Sequence, residues 1–256
     1  MNIKESNQFI PGIYNYCDRW CEHCSMTSRC RVYADTERKK AEHIRKGEDP
    51  HDWNIVMQDV KEGFEETLQL LKKAAEEQGI DLESIPDEEY ERPDPSEHPL
   101  NLHAKNYRRL AHEFLKKLRE SIETEGHELS ERIDIIPSPF DELKGFEDIS
   151  FCCEVISWYH TLVPSKIHRA LCSKMKSAAA KNDELAGWDM EDANGSAKVA
   201  YDGITRSIIA LQVIYKWNNS LQDEALQLMV EADRLRKGID TEFPGHRDFK
   251  RPGFDE

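Results

Sequence analysis

The chain has 256 residues, of which 33% are charged and 38% are hydrophobic, and its formal net charge is −15. We do not expect so acidic a chain to bind nucleic acids in general or anionic membranes, because contact with phosphate groups requires a basic surface. No run of eighteen apolar residues occurs, so no membrane-spanning helix is predicted.

The cysteine content and the N-terminal residues predict a reducing environment. The first residues lack the apolar core of a secretion signal, which predicts a cytoplasmic location, where thiols remain reduced. Seven cysteines, an odd number, also fit poorly with a closed set of disulfides. The sequence contains neither a P-loop nor the glycine fingerprint of dinucleotide-binding folds, so these two enzyme classes are not expected.

Helical periodicity dominates the first half of the chain. A short charged helix is predicted over residues 30–46 and ends at Gly47. An amphipathic helix over residues 52–78 ends at Gly79, because glycine readily adopts the left-handed conformation that terminates helices. Its apolar residues recur at helical spacing: Val56, Val60, Phe64, Leu68, Leu71 and Ala75. A further amphipathic helix is predicted over residues 101–125.

The second half of the chain predicts three more helices. One covers residues 147–181 and contains Pro164, which should kink it. The next begins near Ser196, with Asn194 or Ser196 as its cap, and a salt bridge is expected between Asp202 and Arg206 four residues apart.

The segment 218–220 interrupts that helical pattern. A capping box formed by Ser220 and Asp223 predicts a new helix from Leu221 to Lys237. Only residues 133–137 have strand character, and that segment is too short to change the fold class. Long amphipathic helices without strands predict an all-α fold.

The expected architecture is a four-to-five-helix bundle with a small N-terminal cysteine-rich metal-binding module. Residues 1–48 form the cysteine-rich module with its short helix, residues 49–237 form the bundle, and residues 238–256 form a polar tail. Aromatic residues near the cysteines, among them Tyr16 and Trp20, are expected to dock the module onto the bundle.

Four cysteines within fourteen residues carry the clearest chemical signal: Cys17, Cys21, Cys24 and Cys30. Their spacing is C-x3-C-x2-C-x5-C. Thiolates are soft ligands, and four of them can complete either a tetrahedral zinc site or a four-iron cluster. The histidine beside Cys24, His23, could replace one of the thiolates. The sequence therefore predicts a metal site with these cysteines as ligands, and it leaves an iron–sulfur cluster (4Fe–4S) and zinc both open.

Part of this spacing is shared with known metal motifs. The ten residues from Cys21 to Cys30 resemble the ligand spacing of auxiliary four-iron clusters in the C-terminal extensions of some radical enzymes, and this resemblance implies an iron–sulfur cluster. The first three cysteines also match the spacing of radical S-adenosylmethionine enzymes. Those enzymes need a βα barrel, which a chain without alternating strands and helices does not predict.

These observations predict a metallocentre-bearing cytoplasmic protein that acts in binding, sensing or electron transfer, with a protein partner as one option and no substrate indicated. Two alternatives remain. One is an enzyme whose active site lies between bundle helices near His160, which shares a predicted apolar face with Cys153 close to Pro164. The other is an interaction protein with structural zinc. No residue is assigned a catalytic role, and the paired E-x-x-H signature of di-metal bundles is absent.

Overall fold

The structure, a computed structural model, describes residues 8–84, 93–125, 145–146, 148–180 and 182–255. Within these ranges the chain has six α-helices and no β-strand, which confirms the predicted all-α class. The helices are α1 (Arg31–Lys46), α2 (Trp53–Gln78), α3 (Pro99–Glu125), α4 (Ile149–Ala179), α5 (Asp183–Trp217) and α6 (Gln222–Glu242). None of these helices is long and apolar enough to cross a membrane. The strand-like segment 133–137 lies outside the described residues.

The chain is divided into two compact units. The first comprises Met1–Ile10 and His23–Arg92, and the second comprises Pro11–Glu22 and Pro93–Glu256. The sequence predicted boundaries at residues 48 and 237 instead, between the cysteine-rich module, the bundle and the tail. That division stays a prediction.

The first unit contains α1 and α2, and both helices end where their glycines predicted. Gly47 and Gly79 adopt left-handed conformations with φ of 77° and 68°. The expected apolar face of α2 does not form a core, however. Of its six predicted residues only Ala75 is buried, whereas Phe64 is 73% exposed. Periodicity correctly identified an amphipathic helix, but it carries no information about whether another element covers the apolar face.

The second unit is a bundle of α3, α4, α5 and α6, in which α4 and α5 make the most extensive contact. Its core is formed by large apolar side chains from all four helices, including Tyr107, Ile156, Ile204, Leu211 and Leu235. Pro164 lies inside α4, as predicted, and the helix continues through it. The bundle prediction is therefore confirmed for this unit.

Helix α5 begins much earlier than predicted. It starts at Asp183, and Asn182 caps it by accepting a hydrogen bond from the backbone N–H of Glu184. Asn194 and Ser196 lie inside the helix, so the prediction that one of them caps it is wrong. Gly195 led to the late predicted start of this helix, because glycine usually weakens a helix. Here the ring of Tyr16 packs so closely on Gly195 that a Cβ atom would lie 2.5 Å from it.

The junction between α5 and α6 depends on the buried side chain of Asn218. Its Oδ1 accepts hydrogen bonds from the backbone N–H groups of Ser220 and Leu221, and its Nδ2 donates to Ser121 Oγ at 2.9 Å. The predicted interruption at residues 218–220 is confirmed, although Asn218 rather than Ser220 supplies the capping side chain. Helix α6 also extends past the predicted end at Lys237, to Glu242.

Residues 11–22 and the C-terminal residues both pack against the helices of the second unit. Trp20 is only 7% exposed and stacks on Trp158, with ring centres 5.4 Å apart. Trp20 thus docks residues 11–22 onto α4, while docking of the whole module stays a prediction. At the other end of the chain Phe243 and His246 are buried, so the predicted polar tail contributes to the core at these positions.

Two of the three glycines of α5, Gly195 and Gly187, provide a direct test of this packing. We expect Gly195→Ala to lower the free energy of unfolding by about 1–2 kcal/mol, because the new methyl group must displace Tyr16 and Phe249. The matched control is Gly187→Ala. Gly187 is exposed with no neighbouring atom within 4 Å of a Cβ, so this variant should be more stable by about 0.5–1 kcal/mol. Urea denaturation measures both, and equal effects of the two substitutions would show that Tyr16 does not pack on α5 as described.

Candidate functional site

Two of the predicted ligands lie in residues 11–22, which belong to the second unit. Cys17 is half-buried, and its thiol donates a hydrogen bond to the carbonyl oxygen of Tyr14 at 3.6 Å. Cys21 is exposed. The backbone between them is fixed, since Trp158 Nε1 donates to the carbonyl oxygen of Asp18 at 3.0 Å. Both thiols are therefore presented on a segment that the bundle holds in place.

A buried cation lies near Cys17. Lys166 of α4 is only 8% exposed and forms no ion pair with a carboxylate of the described residues. Burial, followed by repulsion from Arg169, lowers the pKa of Lys166, while attraction to the Cys17 sulfur acts in the opposite direction. A buried positive charge near Cys17 would offset part of the negative charge of a metal–thiolate centre bound there.

The other two predicted ligands belong to the first unit. The sulfur of Cys24 accepts a hydrogen bond from the backbone N–H of Met26 at 3.4 Å. Cys30 immediately precedes α1, and its side chain does not cap that helix. Cys24 and Cys30 are both half-buried, while His23 is exposed. A backbone N–H directed at a sulfur stabilises negative charge on it, as in the outer shell of metal–thiolate sites.

All seven cysteines are free thiols, and none is joined in a disulfide. As placed in the described part of the chain, no three or more His, Cys, Asp or Glu side chains form a group that could hold a metal ion. The predicted ligands are divided between the two units, with Cys17 and Cys21 in the second and Cys24 and Cys30 in the first. The predicted metal site stays a prediction.

His160 does not occupy the position that its helical pattern predicted. It is half-buried rather than part of the core, and its Nδ1 hydrogen-bonds with the carbonyl oxygen of Ser157 at 2.7 Å. Burial lowers its pKa. Most of the predicted apolar face of α4 is buried, but Cys152 and Tyr159 lie in the core whereas Cys153 and His160 are half-buried.

A cavity of about 400 Å³ does lie near this part of α4, and Cys153 rather than His160 lines it. Burial raises the pKa of the Cys153 thiol to about 12. The thiol therefore stays protonated at neutral pH and is a poor nucleophile. Nothing in this arrangement assigns a reaction to the cavity.

A second cavity, of about 370 Å³, has a different character because charged side chains line it. It lies between α4, α5 and the C-terminal residues of the second unit. Three cations and three carboxylates surround it: Lys198, Arg206, Arg251, Asp18, Asp202 and Asp255. We call it the ionic cavity. Its formal charge is zero, although the chain as a whole is strongly acidic.

Four of the six charges form a continuous chain of ion pairs. Asp255 lies 3.1 Å from Lys198 and 2.9 Å from Arg251, and Arg251 in turn lies 3.0 Å from Asp202. Burial acts to raise the pKa of Asp255, but hydrogen bonds from Arg251 outweigh it and hold that pKa well below its usual range. These contacts fix the C-terminal residues against α5.

Sequence reasoning missed the ionic cavity. The predicted salt bridge between Asp202 and Arg206 is replaced by the pair of Asp202 with Arg251, which lies in the segment predicted to be a polar tail. One signal was available: Lys198, Asp202 and Arg206 recur every four residues and so share one face of α5. A charged stripe of this kind usually faces solvent, and only the packing of the C-terminal residues encloses it here.

Comparisons with known proteins add no assignment. No protein family model, no curated protein and no solved structure matches the chain. The functional interpretation therefore depends on the residues and contacts described above.

The ion-pair chain generates a pH-dependent prediction. We expect Asp255→Asn to lower the free energy of unfolding at neutral pH by about 2 kcal/mol, because Lys198 and Arg251 lose charged acceptors. A carboxylate with a depressed pKa stabilises the fold above its unfolded pKa of about 3.9, and that contribution is lost as the pH falls towards the folded value. The difference between wild type and variant should therefore shrink below about pH 4.

Urea titrations at a series of pH values measure this difference. The control is Glu113→Gln, which removes an exposed ion pair with Arg109 on α3 and should cost about 0–0.5 kcal/mol at any pH. A constant difference between wild type and Asp255→Asn from neutral to acid pH would contradict the depressed pKa of Asp255.

Proposed function

We propose that this chain binds a single metallocentre, an iron–sulfur cluster or zinc, through Cys17, Cys21, Cys24 and Cys30, and that it acts in binding, sensing or electron transfer. The observation that carries the proposal is the occurrence of four free cysteines within fourteen residues, none of them fully buried. Cysteines that serve only as small apolar residues are usually buried. Cys152, in the core of the bundle, is of that kind.

The surroundings of individual cysteines support the proposal. The Met26 backbone N–H donates a hydrogen bond to the Cys24 sulfur, and the buried cation Lys166 lies near Cys17. Both would stabilise the negative charge of a bound metal–thiolate centre. Hydrogen bonds and solvent exposure at the sulfurs tune the reduction potential of an iron–sulfur cluster.

The resemblance of residues 21–30 to auxiliary cluster motifs favours a four-iron cluster, while a tetrahedral zinc site requires the same four thiolates. We place this function in the cytoplasm, where thiols remain reduced. An electron-transfer or sensing role also implies a protein partner.

The metal content and visible absorption spectrum of anaerobically purified protein distinguish the two centres. Iron with sulfide and a broad visible band would identify a cluster, and one zinc per colourless chain would identify a structural or regulatory zinc site.

Replacing the cysteines one at a time tests the ligand set. We expect each of Cys17→Ser, Cys21→Ser, Cys24→Ser and Cys30→Ser to weaken metal binding by more than about 100-fold, because loss of a direct ligand exceeds the 10–100-fold cost of losing an outer-shell partner. The readout is bound metal per chain together with the absorption spectrum.

The matched control is Cys172→Ser. Cys172 is half-buried in α4, its thiol donates to the carbonyl oxygen of Pro93, and it lies outside the motif. This variant should keep its full metal content. Full metal retention in all four motif variants, or equal loss in the control, would contradict the proposed ligand set.

A further inference from the structure

The ionic cavity has properties of a ligand-binding site that are independent of the cysteines. Its volume of about 370 Å³ falls within the usual range for small-molecule sites, roughly 300–1,000 Å³. The ion pairs of Asp255 with Lys198 and Arg251 hold its sides in place without a ligand. Preformed sites bind small molecules without having to order their own side chains first.

Among the cations around the cavity, Arg206 is left without a carboxylate partner in the described part of the chain. Its Nε is buried and has no hydrogen-bond partner among the described residues. Its guanidinium carbon lies 5.7 Å from the ring centre of Tyr159 and 6.0 Å from that of Phe146, so aromatic rings hold the group in position. A buried donor without an acceptor is unfavourable, and the planar guanidinium group is suited to a carboxylate.

Among the carboxylates, Asp18 forms no ion pair with a described cation. Its Oδ1 accepts a hydrogen bond from the backbone N–H of Trp20, and its Oδ2 accepts one from the hydroxyl of Tyr159 at 2.6 Å. An ionised carboxylate has about four acceptor positions, so Asp18 retains capacity for a cationic donor. Tyr159 therefore contacts both unpaired groups, with Arg206 over its ring and Asp18 at its hydroxyl.

A ligand that pairs with both the Arg206 guanidinium and the Asp18 carboxylate must carry one negative and one positive charge. Such a molecule also leaves the cavity neutral, whereas a phosphate would add uncompensated negative charge beside Asp18 and Asp202. Between the charged groups, Val199 and Ile209 contribute apolar surface. We propose that the ionic cavity binds a small zwitterion of the amino-acid class, with its carboxylate on Arg206 and its ammonium group on Asp18.

The first experiment uses the wild-type full chain, so that it does not depend on any variant folding. Free α-amino acids are tested one by one by thermal shift, and those that raise Tm are measured by calorimetry. For each, the matched carboxylic acid without the amine and the matched amine without the carboxylate are compared, together with inorganic phosphate. We expect an amino acid to bind at least about 30-fold more tightly than either matched analogue.

The second experiment assigns the two groups with Arg206→Gln and Asp18→Asn. Each should weaken amino-acid binding by at least about 30-fold. Asp18→Asn should leave the affinity for the deaminated carboxylate unchanged, and Arg206→Gln should leave that for the matched amine unchanged. A purely structural role for either residue would not produce this selectivity. The control is Arg234→Gln, an exposed arginine on α6, which should bind as the wild type does.

Three results would overturn the proposal. In one, no free amino acid raises Tm or binds by calorimetry. In another, inorganic phosphate or a matched analogue binds the wild type as tightly as the amino acid does. In the last, folded Arg206→Gln and Asp18→Asn proteins retain wild-type affinity. Because the readout is amino-acid affinity rather than metal content, these results are separate from those that test the cysteine site.

Discussion

The burial of Trp20 is the contact on which both candidate sites depend. Its ring stacks on Trp158 and Phe151 and meets Tyr159 edge-on, with ring centres between 5.4 and 6.0 Å apart. Removing a buried tryptophan typically costs about 3–5 kcal/mol. That interaction holds residues 11–22 against α4, so a segment with little regular structure has a defined position. Without it, Asp18 would not be fixed beside Tyr159, and the chain around Cys17 would not be held near Lys166.

In the segment around Trp20, side chains at alternate positions contact the bundle. Tyr16, Asp18 and Trp20, at alternate positions, all contact residues of the bundle. Arg19, between Asp18 and Trp20, and Cys21, after Trp20, are exposed, whereas Cys17, between Tyr16 and Asp18, is half-buried. Arg19 has φ of 60°, a left-handed conformation that is uncommon for residues other than glycine. The anchored neighbours on either side hold it there, because the Asp18 side chain bonds the backbone of Trp20 across the turn. The same short segment therefore places Asp18 at the ionic cavity and carries Cys17 and Cys21.

Sequence reasoning was reliable where a local signal decides the structure. Gly47 and Gly79 ended their helices because a left-handed glycine terminates a helix whatever surrounds it, and periodicity correctly indicated the helices of the bundle. It failed where a distant contact decides. Gly195 lies within α5 because Tyr16 needs the space there, and Arg251 pairs with Asp202 although the C-terminal composition resembles a solvated tail. The ionic cavity depends on such distant contacts, so no local pattern predicts it.

The distribution of charge bears on the cysteine site. Four thiolates around one Zn²⁺ leave two excess negative charges, which a chain of net charge −15 would disfavour if that charge were uniform. The chain is not uniform, because residues 1–48 carry nine basic and seven acidic side chains. Acidic residues more than a Debye length of about 8 Å away on the surface interact only weakly with charge at the cysteine sulfurs. The interaction of buried Lys166 with Cys17 is screened much less. The acidity that argues against a phosphate-binding role is therefore compatible with an anionic metal–thiolate centre, since Lys166 lies near Cys17 and residues 1–48 carry more basic than acidic side chains.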